Sequence, residues 1–149
     1  MIHYIAVYNE NYPMPPKPKS VDEGIIKGLY MLRGAPKGDG PMVRLIGSGP
    51  IMLQVLDAVE KLEEFGVRSE IWSATSYGEL RRDGLEVDRW NLMHPEKAAR
   101  QTWVETQLGN SKTPIIAVSD NMAAVPDMIR KWMPENYDCL LYTSPSPRD

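Results

Sequence analysis

Chemistry in this chain would have to come from a short set of residues. His3 and His94 are the only imidazoles, and neither has a second His, a Cys or a carboxylate at metal-ligand spacing. No metal site is expected, and His94, followed by Pro95, reads as a helix-end residue rather than a general base. Gly47-Ser48-Gly49 stands between an apolar run and a helical pattern, where a phosphate-binding G-x-G-x-x-G would begin. Met52 takes the third glycine's place, and no acidic residue clearly ends the next strand. A plain strand-to-helix turn is therefore favoured over a nucleotide site. Ile46 stands where a G-x-S-x-G nucleophile elbow needs its first glycine, and there is no G-x-x-x-x-G-K-[ST] loop. Two polar groups remain. Glu79, Arg81, Arg82 and Asp83 form a charge cluster beside Gly84, readable either as a solvated helix face or as a subunit contact. Arg89-Trp90-Asn91 has residue types favoured as interface anchors. On chemistry alone, no self-sufficient active site is expected.

The elements that would position these groups centre on residues 42–73. Val43, Leu45 and Ile46 give a short apolar strand ending at Gly47, and Pro50 suits the first position of a helix. Met52, Val55, Leu56, Val59 and Leu62 recur at helical spacing, with Gln54, Asp57, Glu60, Lys61 and Glu64 on the other face. Gly66 supplies a left-handed stop, and 67–73 follows as a second strand. Short turns between such elements predict a right-handed crossover with parallel strands.

Upstream, 4–8 (YIAVY) reads as a strand without a strand before it, as in a chain cut in mid-sheet. The Pro-rich 13–18 is expected to run extended as a linker, rather than to act as a PxxP ligand. Ser20 and Glu23 have the spacing of a capping box. Ile25, Ile26, Leu29 and Leu32 predict a helix from there to Gly34, and Gly24 and Gly28 on one face predict the close approach of another backbone. Downstream, helices are expected at 76–85 ended by Gly84, at 87–93, and at 98–108 ended by Gly109-Asn110. A third buried strand is expected at 113–118. A last helix is expected at 122–133, capped by Asp120, with Val125, Ile129 and Trp132 inward.

The totals bound the class. A chain of 149 residues holds one domain with a real core, and 42% hydrophobic with 25% charged residues is ordinary for a globular protein. Net charge is −3 with the signs interspersed, which argues against nucleic acid. No apolar run approaches the roughly 20 residues of a membrane span. One cysteine excludes an internal disulfide framework and fits a reducing compartment. Four Trp and seven Tyr beside one Phe suit surfaces that pack while keeping a polar edge.

Several of these motifs occur together in one family. Asn9-Glu10-Asn11-Tyr12 with Met14-Pro15, Glu23-Gly24-Ile25, Lys27-Gly28 and Leu45-Ile46-Gly47-Ser48-Gly49 follow its order. So do Ser73-Ala74-Thr75-Ser76, Glu79-Leu80, Arg82-Asp83-Gly84, Arg89-Trp90-Asn91 and Met93-His94-Pro95, then Pro114 and Ser119-Asp120. Over 4–138 the chain resembles the homodimeric, bacterial-type pyruvate dehydrogenase (acetyl-transferring), first component of the pyruvate dehydrogenase complex. It departs at Pro13, where the family usually has His, at Lys17 to Lys19, and at Glu96-Lys97-Ala98.

The resemblance implies an α/β fold: a transketolase C-terminal-type domain, mainly parallel with helices on both faces, preceded by the last strand of a truncated pyrimidine-binding domain. Residues 1–19 would be that strand and its exit linker, and 20–138 the linker helix with a partial C-terminal domain. The parent enzyme would be cytoplasmic and bacterial, working between glycolysis and acetyl-CoA synthesis with thiamin diphosphate and Mg²⁺. The cofactor attacks pyruvate as a carbanion, CO₂ leaves, and the acetyl group passes to the lipoyl arm of dihydrolipoyl acetyltransferase. The family's cofactor-binding and catalytic residues match no position in this chain. The resemblance therefore implies an inactive fragment that binds no cofactor, has a poorly stable or aggregating isolated fold, and serves dimerisation and structural support. Glu79, Arg82, Asp83, Arg89, Trp90, Asn91 and His94 are the interface candidates. A non-catalytic interaction module with the same fold is the alternative. Residues 139–149 (CLLYTSPSPRD) leave the family pattern abruptly and resemble a translated transposase-type sequencing adaptor. This tail is set aside from the expected fold, and the one cysteine goes with it.

Overall fold

A computed structural model of the chain describes residues 11–109 and 112–141. The strand expected at 4–8 lies outside the described residues. Those residues form a five-stranded sheet of β1 (Leu29–Arg33), β2 (Met42–Gly47), β3 (Arg68–Ala74), β4 (Ile115–Ser119) and β5 (Tyr137–Leu141). Its order is β1-β3-β2-β4-β5. β1 runs antiparallel to β3, and the other neighbours are parallel. The expected central unit is present: β2, a 3₁₀ turn Gly49–Ile51, helix α2 (Met52–Glu64) and β3 parallel to β2 in the register Leu45↔Ile71. Gly66 has φ +72°.

Strand alternation places side chains on two faces. Val43 and Leu45 of β2 and Ile71 of β3 join Met52, Val55 and Val59 of α2 in one cluster. Ile46, Trp72, Ile115, Ala117 and Tyr137 point to the opposite side, where Leu80, Val104, Leu108, Ile129 and Trp132 cover them. Helices α3 (Tyr77–Met93) and α4 (Trp103–Leu108) and a 3₁₀ segment, Pro126–Trp132, supply that cover. The sheet is therefore mostly parallel with helices on both faces, as expected.

Several local expectations give way. The first helix, α1 (Asp22–Lys27), is only six residues long and takes no side-chain cap, because Ser20 adopts φ +60° and its hydroxyl does not reach the helix N–H groups. Gly28, at φ +103°, stops α1, and residues 29–33 turn into β1 instead of continuing the helix. Pairing with the open edge of β3 satisfies a ladder of backbone groups that an exposed helix would not need, and it buries Leu29 completely. Ile26 is left exposed. The glycine expectation holds in altered form. A Cβ at Gly24 would meet Leu29 O at 2.8 Å, and one at Gly28 would meet Ser76 O at 2.6 Å. Gly28 O also accepts from Thr75 N at 2.9 Å.

The helices expected on either side of Gly84 are one helix, α3, which runs through it. Gly84 is buried against Trp132, so it is a packing glycine and not a stop. The helix expected at 98–108 starts only at Trp103, where a capping box forms at Thr102: Glu105 N donates to Thr102 Oγ1 at 3.2 Å, and Thr102 N donates to Glu105 Oε2 at 2.7 Å. The α-helix expected from 122 is a 3₁₀ segment starting at Pro126. Proline has no N–H and clashes with the carbonyl four residues back, so an α-helix from 122 cannot pass through it. Ile129 and Trp132 still face inward, with Val125 packed beside them. Cys139 to Leu141, set aside with the tail, complete β5, with Cys139 paired to Ala117.

Candidate functional site

α3 carries every interface candidate except His94, which immediately follows it. Its start is fixed by Ser76, whose Oγ accepts from Glu79 N at 3.1 Å. Tyr77, Leu80 and Gly84 form its buried side. The candidates divide into two groups around this axis.

Asp83, Trp90, Asn91 and His94 hold the chain's own loop. Asp83 Oδ2 accepts from Trp103 N at 2.6 Å and so ties the first turn of α4 to α3. Asn91 Nδ2 donates to Arg100 O at 3.0 Å, and its Oδ1 accepts from Arg100 N at 2.8 Å. The Arg100 guanidinium lies 3.8 Å from the Trp90 ring centroid. His94 stacks on the same ring at 4.6 Å, with its Nδ1–H donating to Trp90 O at 2.9 Å. Together these contacts fasten residues 94–102 along α3. They explain the Arg-Trp-Asn and His-Pro pattern by local structure.

Glu79, Arg82 and Arg89 are the outward group. Glu79 and Arg82 form an exposed ion pair one turn apart, a type worth a few tenths of a kcal/mol. With Ile26, Lys27, Asp83 and Glu86 they line a shallow groove of about 170 Å³ between α1 and α3. Arg81 is exposed beside it. The outer side of α3 also exposes Leu85, Leu92 and Met93. Read as two short helices divided at Gly84, the sequence does not align these side chains; one continuous helix does.

Asp88 reaches the other way. Its carboxylate accepts from Lys131 Nζ at 2.5 Å and from Trp132 Nε1 at 3.2 Å, and the hydrogen bond from Lys131 holds its carboxyl below the usual range. Arg44 and Glu70 form a largely buried pair at 2.6 Å, and Glu70 also accepts from Trp72 Nε1. These are fold-holding contacts.

The glycine turn does not fit a diphosphate. The side chain of Met52 folds against Gly47, 3.2 Å or less from where a Cβ would stand, and fills the space that a third glycine would open. Ser48 makes no side-chain cap at the following helix. Among the described residues no three His, Cys, Asp or Glu side chains are close enough to share a metal ion. Among the described residues, neither the glycine turn nor any acidic cluster offers a donor set for a diphosphate and Mg²⁺. Among the described residues no helix is long and apolar enough to cross a membrane. A further apolar groove of about 410 Å³ opens between α2 and strands β2, β4 and β5, lined by Leu45, Val55, Leu62, Phe65, Ile116 and Leu140. β4 reads as apolar on both faces, but α2 covers only the β2–β3 side of this face.

Comparison with known proteins agrees with this architecture. The family described as "Transketolase-like TK C-terminal domain" matches residues 28–143. The pyruvate dehydrogenase E1 component of Pseudomonas aeruginosa is 44% identical over 135 residues, which is 90% of this chain and 15% of that protein. The proteins of the same name from Mycobacterium tuberculosis and Escherichia coli K12 are 41% and 38% identical over 136 and 133 residues. The chain thus spans about 15% of the length of these relatives and matches their C-terminal region. With the family pattern running through its mostly parallel sheet and flanking helices, the chain belongs to the transketolase-like C-terminal domain family.

Proposed function

We propose that this chain is the C-terminal part of a thiamin diphosphate-dependent pyruvate dehydrogenase, and that its own share is subunit contact and support of a neighbouring catalytic site. The observation that carries the reading is the match to pyruvate dehydrogenase E1 components over 89–90% of the chain. The local chemistry is consistent with it: Glu79, Arg82, Asp83 and Asp88 of α3 are engaged in ion pairs or in anchoring neighbouring segments, and the glycine turn is closed by Met52. Decarboxylation of pyruvate, transfer of the acetyl group to a lipoyl arm and the requirement for Mg²⁺ belong to the parent enzyme in this reading. In this reading residues 1–19 are the end of the pyrimidine-binding domain with its exit linker, 20–138 the linker helix with a partial C-terminal domain, and 139–149 the adaptor-like tail.

A hybrid enzyme tests this. The Pseudomonas aeruginosa relative would carry residues 20–138 of this chain in place of its own matching segment. The hybrid is expected to release CO₂ from pyruvate with thiamin diphosphate and Mg²⁺. The 149-residue chain alone is expected to show no heat of binding for the cofactor and no CO₂ release. A folded but inactive hybrid would remove the parent assignment. Catalysis by the chain alone would remove the supporting role.

A further inference from the structure

Apolar packing does little to hold α1 on the fold. The helix is six residues long, too short to be stable by itself, and Gly24 is its one buried residue. Ile26 is 75% exposed. Hydrogen bonds from the turn between β3 and α3 take the place of packing. Thr75 N and Ser76 N both donate to Gly28 O, at 2.9 and 3.3 Å, and Thr75 Oγ1 donates to Ile25 O at 2.8 Å. The first two carry the β1–β3 pairing one step beyond Leu29↔Ala74. The third has no counterpart in a strand ladder: Ile25 lies inside α1, and a side chain reaches back to a carbonyl of its last turn. Gly28 permits this close approach, since a Cβ there would stand 2.6 Å from Ser76 O.

We infer that Thr75 is a positioning residue: its hydroxyl holds the linker helix α1 on the turn that starts α3, and so fixes the direction in which the chain enters this domain. The inference rests on the reading above, in which α1 joins this domain to the preceding one, and deepens it. The contacts on either side make a joint. Upstream, Lys17 Nζ pairs with Asp22 Oδ1 at 2.6 Å and ties the linker to the first turn of α1. Downstream, Ser76 Oγ accepts from Glu79 N, so the turn that grips α1 also sets the start of the long helix. The carbonyl end of α1 meets N–H groups at the head of α3, a favourable arrangement of the two helix dipoles. Released from Thr75, α1 would pivot at Gly28, whose φ of +103° marks the bend, while Leu29 stays buried in the ladder. The preceding domain would then turn against this one. A displacement of about 1 Å at a neighbouring catalytic site is enough to slow a reaction strongly.

The hybrid enzyme described above contains the whole joint within residues 20–138 and is the protein to test. Lys27 is exposed but Gly28 is buried, so trypsin cuts between them only when α1 lifts from the turn. The rate of that cut, followed by mass spectrometry of the fragments, reads the opening of the joint. Thr75→Val removes the hydroxyl at nearly constant shape and is expected to speed the cut about three- to tenfold. Thr75→Ser keeps the donor and is expected to match the unchanged hybrid. Thr75 is exposed, so the melting temperature stays unchanged in both. Gly28→Ala drives a side chain into Ser76 O, and is expected to speed the cut and to lower kcat for CO₂ release about tenfold with KM for pyruvate unchanged. A Thr75→Val cut no faster than before, a faster cut shared by Thr75→Ser, or a Gly28→Ala hybrid that is cut faster at full kcat would overturn the inference. A folded hybrid without CO₂ release removes the parent assignment, yet the cut still reads the joint, so the two readings fail separately.

Discussion

Gly84 lies directly against the indole of Trp132: a Cβ built on Gly84 would stand 2.5 Å from Cε2 and Cζ2 of that ring. The contact explains how a 17-residue helix tolerates glycine near its middle. It brings α3 close to the Pro126–Trp132 segment and lets Trp132 Nε1 reach Asp88 on the same helix.

Gly84→Ala is therefore expected to destabilise the fold. Alanine would gain about 1 kcal/mol of helix propensity, but overpacking against the buried ring costs about 1–3 kcal/mol. The expected net loss is up to about 2 kcal/mol, measured by urea unfolding. In a Trp132→Leu background the same change should become neutral or stabilising. A stabilising Gly84→Ala in the wild-type background would show that the ring can move aside.

The real and the expected capping boxes give opposite results on mutation. Thr102 is buried and its Oγ1 accepts from Glu105 N, so Thr102→Ala should cost about 1–2 kcal/mol. Ser20 caps nothing and holds φ +60°, so Ser20→Gly should stabilise by up to about 1 kcal/mol by removing left-handed strain. Thermal melts of the two variants separate the sites.

Glu70 and Arg44 are each only 15% exposed, and Arg44 Nη1 also donates to Leu108 O at 2.5 Å. Glu70→Ala leaves the guanidinium largely buried with its carboxylate partner gone, and a loss of about 3 kcal/mol is expected. Replacing both, with Arg44→Met and Glu70→Leu, should cost less than Glu70→Ala alone. A double-mutant cycle in chemical denaturation reads the difference.

Asp88 gives stability a pH dependence of known sign. The hydrogen bond from Lys131 holds its folded pKa below the ordinary 3.8, so the unfolded chain binds the proton more readily. The carboxylate's stabilisation is present above that ordinary value and is lost as pH falls through the lowered folded value. The melting-temperature difference between wild type and Asp88→Asn should be constant from neutral pH to about pH 5 and then shrink toward acid. Lys131→Met should reduce the same difference at neutral pH. A difference that grows on acidification would contradict the assignment.

The sequence by itself determined the β2–α2–β3 unit, because its information is local: a strand ending at Gly47, a helical stripe from Met52 to Leu62, a left-handed stop at Gly66. It also determined family membership, through motifs that keep their order. Tertiary structure alone decided the rest, wherever a residue's role depends on a partner distant in sequence. Residues 29–33 carry a helical pattern, yet the free edge of β3, some forty residues away, makes them a strand. Gly84 reads as a stop until Trp132 packs on it. Trp90 and Asn91 read as interface anchors, and only the fold brings Arg100 against both of them. The outward stripe of Leu85 and Leu92 becomes visible only once α3 runs unbroken through Gly84. Local patterns fix what a segment can form, whereas burial and pairing, which are long-range, fix what each side chain faces.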